Sequence, residues 1–193
     1  MKLKGIVLAG GKSSRFGEDK ALAIWNGKTL LARAVDLLRS LHLDPVIIAN
    51  PKRDYSFLPC PVFNDAIPEK GPLGGLYTAY SLFPQNALLV LTCDMPYLEE
   101  TVLKRLIESD TAIAQATIFS IEEQMQPFPG IYKHELKALL LECLKANELS
   151  MKSFLSRVIC KQTVFSPSNS KFFKNVNRPV DLDLRAGAGS STL

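Results

Sequence analysis

At 193 residues the chain is long enough to bury a substantial core, and its composition, 47% hydrophobic and 22% charged, is ordinary for a soluble globular protein. The formal net charge of +4 suits an anionic ligand such as a nucleotide. The basic residues form no run of the kind that nucleic-acid binders carry, so nucleic acid is not expected as a partner.

The elements alternate along the chain. Leu3 to Ala9 is an apolar run stopped by Gly10-Gly11, which predicts a buried strand feeding a loop. Thr29 can cap a helix through Leu41, with Leu30, Ala34, Leu37, Leu38 and Leu41 on one face. Pro45 to Ala49 reads as a second buried strand, stopped by Asn50-Pro51, and Val62-Phe63 as a short extended piece. Gly71-Pro72-Leu73-Gly74-Gly75 leads into a helical stretch at Leu76 to Phe83. The run "ALLVLT", Ala87 to Thr92, predicts a strand ending at Cys93-Asp94-Met95-Pro96. Pro96 then opens a helix with Leu98, Val102, Leu103, Leu106 and Ile107 inward. Later, Ala112–Phe119, Gly130–Tyr132 and Phe172–Asn177 look extended, whereas Leu136–Leu144 and Ser150–Val158 look helical. This alternation predicts an α/β fold, a mostly parallel sheet with helices on both faces. One domain over residues 1–184 is expected, followed by a small, polar tail at 185–193 that frays.

Several functions drop out early. Cys60, Cys93, Cys143 and Cys160 are far apart, and with only His42 and His134 they have no metal-ligand or redox spacing. No apolar segment approaches the roughly 20 residues needed to span a bilayer, and no signal-peptide cleavage site follows the N-terminus. A cytoplasmic protein without a membrane partner is expected.

The first loop, "GGKSSRFGEDK", ends its opening glycines in Gly11-Lys12-Ser13, like a P-loop. A P-loop needs a glycine five positions before Gly11, where this chain has Ile6 in mid-strand. The dinucleotide fingerprint Gly-x-Gly-x-x-Gly also fails on spacing. What remains still suits phosphate. Gly10 and Gly11 allow close backbone approach, Ser13 and Ser14 supply donors, and Lys12, Arg15 and Lys20 supply three cations. The plain alternative is a turn with a solvated basic face.

"LAGGKSSRFGEDK" resembles the Leu-Ala-Gly-Gly-x-x-x-Arg-x-Gly-x-Asp-Lys signature of the molybdenum cofactor guanylyltransferases. "NDAIPEKGPLGGL", "LTCDMPYL" and "NVNRPVDL" resemble that family's Gly-Pro-Leu, Cys-Asp-x-Pro and Asn-x-Asn-x-Pro segments, in the family's order. The stretch Gln126 to Tyr132 is similar to its Gln-Pro region, so the likeness runs from residue 5 to about 182. Gly10, where related cytidylyltransferases and sugar-phosphate nucleotidyltransferases usually carry Ala, points to the guanylyl branch. The pattern is not complete: Ile48 stands for the first Asn of an Asn-x-Asn found in some members, Arg178 for a commoner Thr, and Val180 for an acidic residue.

The resemblance implies a Rossmann-like, glycosyltransferase-A-type nucleotidyltransferase fold and transfer of GMP from GTP to Mo-molybdopterin, with Mg²⁺ as cofactor. Leu8, Ala9 and Gly10 would then contact the nucleotide through backbone groups. Lys20 and Arg15 would neutralise phosphate charge as catalytic cations, and Asp94 would bind metal and nucleotide. Asp65 would recognise the nucleotide, and Asn175 and Asn177 would lie near the acceptor. Each carboxylate has a plainer alternative, Asp94 as the cap of the helix near Pro96 and Asp65 as a turn residue bonded to its own backbone. The resemblance further implies a molybdenum-insertion enzyme or a recipient apo-oxidoreductase as partner, and a monomer is expected. The rival readings are a CTP-dependent or sugar-phosphate nucleotidyltransferase and a non-catalytic nucleotide-binding module.

Overall fold

A computed structural model of the chain describes residues 2–10, 19–178 and 180–183. The chain opens with β1 (Leu3–Ala9), and a 3₁₀ turn (Lys20–Leu22) precedes the small hairpin of β2 (Ile24–Trp25) and β3 (Lys28–Thr29). Next come α1 (Leu30–Ser40), β4 (Val46–Ala49), β5 (Val62–Asn64), α2 (Gly71–Leu82), β6 (Ala87–Thr92) and α3 (Glu100–Ser109). The later part comprises β7 (Ala116–Ile121), β8 (Gln124–Tyr132), α4 (Lys137–Lys145), α5 (Met151–Leu155), β9 (Cys160–Val164), a 3₁₀ helix (Pro167–Phe173) and α6 (Val180–Asp183).

Among the described residues the main sheet has seven strands in the order β5-β4-β1-β6-β8-β7-β9. Only β8 opposes its neighbours; the β1–β4, β1–β6, β4–β5 and β7–β9 pairs are all parallel. Strand alternation sorts side chains into two cores, because successive residues point to opposite faces. Val7, Ala9, Ile47, Ala49, Leu89 and Leu91 pack with α1 and α3. Ile6, Leu8, Val46, Ile48, Leu88 and Val90 pack with α2, α4 and α5. The central strands are thus apolar on both faces and covered on both, the expected α/β architecture. Among the described residues, no helix is long and apolar enough to cross a membrane.

Thr29 caps α1 as expected, its hydroxyl accepting from the Ala32 N–H at 3.1 Å. Other boundaries shift. Helix α2 starts at Gly71, not Leu76, because Pro72 is well tolerated in a first turn and the Gly74–Gly75 pair lets the helix seat closely. A Cβ at Gly74 would come within 2.6 Å of the Ile67 carbonyl oxygen, and one at Gly75 within 2.8 Å of the Leu8 side chain. Helix α3 starts at Glu100 rather than Pro96, while Met95 and Leu98 anchor the intervening turn in the core. Of the stretch Phe172–Asn177 read as extended, Phe172 and Phe173 end the 3₁₀ helix instead, since Phe165 and Phe173 stack edge-on against Phe119 at 5.0 and 5.2 Å, and 174–177 form no strand. The expected tail at 185–193 lies outside the described residues.

Candidate active site

The parallel strands β4, β5, β1 and β6 end on one edge of the sheet. The chain runs outward from β1 through β4 to β5 and then returns to the other side of β1 as β6. The reversal lies between β1 and β6, where open α/β sheets form their ligand crevice. Gly10 follows β1 there and Cys93-Asp94 follows β6.

Asp94 does not cap α3, whose N-cap is Glu99. Instead its Oδ2 accepts from Lys20 Nζ at 3.0 Å, with side-chain exposures of 20% and 18%. That partial exposure leaves the pair reachable from solvent. Asp94 Oδ1 is buried and has no hydrogen-bond partner among the described residues. An orphaned carboxylate oxygen beside a lysine asks for a cation or a donor from a ligand. Beside it, burial and the nearby Asp94 charge push the Cys93 thiol up to about 12, so it is protonated and inert at neutral pH.

The C-terminal segment closes on the same point. The Val176 N–H donates to the Asp94 carbonyl at 2.8 Å, and the Val176 side chain is 1% exposed. Asn175 and Asn177 flank that anchor and are both exposed. Asp181 Oδ2 accepts from the N–H groups of Asn177 and Arg178, each at 2.8 Å, and these bonds hold its carboxyl below the usual range. Asp181 thereby fixes the turn that presents Asn177.

Leu8 and Ala9 bury their side chains in opposite cores, so only their backbone could face a ligand. Gly10 is exposed, and the nearest atom to a Cβ there would be Asn50 N at 3.9 Å, so packing alone does not demand glycine. Asp65 follows β5, three strand spacings from β6, roughly 14 Å from Asp94. Its Oδ1 accepts from the Ile67 N–H at 3.0 Å and from the Thr78 hydroxyl at 2.7 Å, the bonded turn of the plainer alternative. The structure therefore brings Gly10, Lys20, Asp94, Asn175 and Asn177 together and sets Asp65 apart. Arg15, with Gly11 to Ser14, lies outside the described residues.

Among the described residues no three His, Cys, Asp or Glu side chains come together as a metal cage. The buried, unpartnered Asp94 Oδ1 fits a different arrangement. Mg²⁺ takes one or two carboxylates from a protein and fills its octahedron with phosphate oxygens and water.

Two residues in this region were not legible as functional. Asp19 caps the turn carrying Lys20, its Oδ1 accepting from the Ala21 N–H at 3.1 Å. Tyr55, buried to 1% exposure, donates to Asp19 Oδ2 at 2.7 Å. The Asp-Lys dipeptide of the first loop is the one signal that could have found the former; nothing local could have found the latter.

Residues 5–162 match the model of the MobA-like NTP transferase domain. A relative in Geobacillus sp., named "Probable molybdenum cofactor guanylyltransferase", is 32% identical over 94% of this chain and 97% of its own length. One of the same name in Flavobacterium johnsoniae is 29% identical over 94% and 95%. Among solved structures, the molybdopterin-guanine dinucleotide biosynthesis protein A of Archaeoglobus fulgidus superposes with a TM-score of 0.77 over 93% of this chain and 95% of that one. At 22% identity, that likeness bears on the fold.

Proposed function

The chain belongs to the MobA-like NTP transferase family and is a nucleotidyltransferase; within that family we propose that it transfers GMP from GTP to Mo-molybdopterin. The terminal phosphate of the acceptor attacks the α-phosphorus of GTP, and the bond to the β-phosphate breaks to release pyrophosphate. The acceptor phosphate is already anionic, so no covalent enzyme intermediate is required. The chain's contribution is alignment and charge stabilisation at the crevice between β1 and β6.

The observation that carries this reading is the Lys20–Asp94 pair at 3.0 Å, with the second Asp94 oxygen buried and unpartnered among the described residues, at the switch point of the sheet. Lys20 has three N–H donors, and the pair uses one, leaving two for phosphate oxygens. We assign Lys20 and Arg15 to the phosphates. Asp94 Oδ1 would hold Mg²⁺, which when bound screens the charge of the phosphates brought together in the reaction. The exposed backbone at Gly10 supports contact with the nucleoside. The separation of Asp65 from Asp94 spans a distance that an extended nucleotide covers, which supports Asp65 at its base or ribose end. Asn175 and Asn177, held beside Asp94 through Val176, are assigned to the acceptor.

The guanine preference rests on Gly10 and on the names of the relatives. By the same family likeness the enzyme works in the cytoplasm as a monomeric domain over residues 1–184. A molybdenum-insertion enzyme would supply its acceptor, and an apo-oxidoreductase would receive its product. Calorimetry with GTP, CTP and ATP in the presence of Mg²⁺ tests the nucleotide assignment. GTP should bind most tightly, with the metal-dependent part of binding lost in Asp94→Ala. Tighter CTP binding would transfer the assignment to the cytidylyl branch.

A further inference from the structure

Asp19 is held more firmly than a loop carboxylate needs to be. Its side chain is 10% exposed. Oδ1 accepts from the Ala21 N–H, while Oδ2 receives the Tyr55 hydroxyl at 2.7 Å and has Arg53 Nε at 3.5 Å. Both of the latter come from the loop after β4, and Tyr55 lies 36 residues along the chain. Burial and the Asp19 charge hold the phenol far above its ordinary range, so Tyr55 stays a donor across physiological pH.

The next residue is Lys20. An unrestrained Asp19 would be the nearest anion in sequence to that ammonium and would compete for it with Asp94 and with phosphate. In the structure the competition is settled, because Asp19 is occupied by its cap bond, Tyr55 and Arg53, and Lys20 reaches across 74 residues of sequence to Asp94. The cap also fixes the backbone of the turn from which Lys20 projects.

We infer that Tyr55, acting through Asp19, is a positioning residue for Lys20, keeping the carboxylate off the ammonium and the lysine aimed at the crevice. This rests on the proposed reading of Lys20 as the cation that meets the nucleotide's phosphates. Tyr55 itself touches no substrate in this scheme.

A double-mutant cycle separates positioning from general support of the fold. Tyr55→Phe keeps the ring in the core and removes only the hydroxyl. In the otherwise unchanged chain it should lower kcat/KM for GTP about tenfold, as loss of a hydrogen bond to a charged group does. It should also weaken the binding of inorganic triphosphate measured by calorimetry. In a Lys20→Ala background both effects should shrink to within about twofold. Equal losses in the two backgrounds would overturn the inference, since a hydroxyl that merely held the fold would be missed with or without the lysine. If Tyr55→Phe fails to fold by circular dichroism, Arg53→Gln replaces it, freeing the same Asp19 oxygen from its other partner at an exposed position, and is read by the same two outcomes. Coupling in triphosphate binding without transfer to molybdopterin would leave the positioning intact and sink the acceptor assignment; transfer with additive losses would do the reverse.

Discussion

In the proposed reaction Asp94 is the side chain on which the contacts of the site converge. One oxygen meets Lys20 and the other is buried without a partner among the described residues, while its backbone carbonyl receives Val176. Asp94→Asn keeps the shape and removes the charge that pairs with Lys20. It should lower kcat/KM for GTP by at least about 100-fold while the circular dichroism spectrum stays native, as removal of a preorganised electrostatic group does. Gly74→Ala is a test of a different kind. The added methyl would sit 2.6 Å from the Ile67 carbonyl and 3.4 Å from Asp65 Oδ2. The mutant should lose about 1–3 kcal/mol in urea unfolding and bind GTP more weakly, because α2 must retreat from the Asp65 turn. The sequence carried Lys20 and Asp94 in recognisable motifs, but their meeting across 74 residues depends on strand order, which local pattern does not encode. Tyr55 was invisible for the same reason. A tyrosine in a polar loop gives no sign that its hydroxyl will be buried on Asp19.

At the level of elements, legibility followed burial. Strands β1, β4 and β6 are apolar runs cut by Gly10, Asn50 and Cys93-Asp94, and their ends were readable because a two-faced core demands such runs. Strand β9, Cys160–Val164, lies at the sheet edge with Lys161 and Gln162 exposed, so hydrophobic pattern did not announce it. Most of β8 was hidden by Pro127 and Pro129, and the hairpin of β2 and β3 by its shortness. The 3₁₀ helix over Pro167–Phe173 forms around ring contacts with Phe119, which are tertiary. That helix leads to the Val176 bond on Asp94, so its packing bears on the site. Phe173→Ala should cost about 3–5 kcal/mol in denaturant unfolding. Amide exchange at Val176 should quicken more than at Val90 in the sheet centre, and equal changes at the two would contradict the link.

For the whole molecule, buried thiols and phenols make stability depend on pH on the alkaline side. Burial raises the Cys93 thiol to about 12 and Cys160 to about 11, and pushes the Tyr80 and Tyr132 phenols well up. Above the ordinary thiol range near 9 the unfolded chain loses protons that the native chain keeps. The native state therefore binds more protons, and stability falls as pH rises. The thiol contribution is full below about 9 and is lost on the way to 12. Urea midpoints should decline over that window, and Cys93→Ala should flatten the decline. The overall α/β plan was legible because alternating apolar runs and amphipathic helices permit few other arrangements. The position of the crevice was not, since it follows from the return of the chain to the other side of β1. The central claim is guanylyl transfer at that crevice, and the most direct measurement follows the α-phosphate of labelled GTP into product with Mo-molybdopterin and Mg²⁺, beside labelled CTP and the Asp94→Ala variant. Label should pass from GTP to the pterin with release of pyrophosphate, much faster than from CTP, and Asp94→Ala should all but abolish it. Preferred transfer from CTP, or undiminished transfer by the variant, would contradict it.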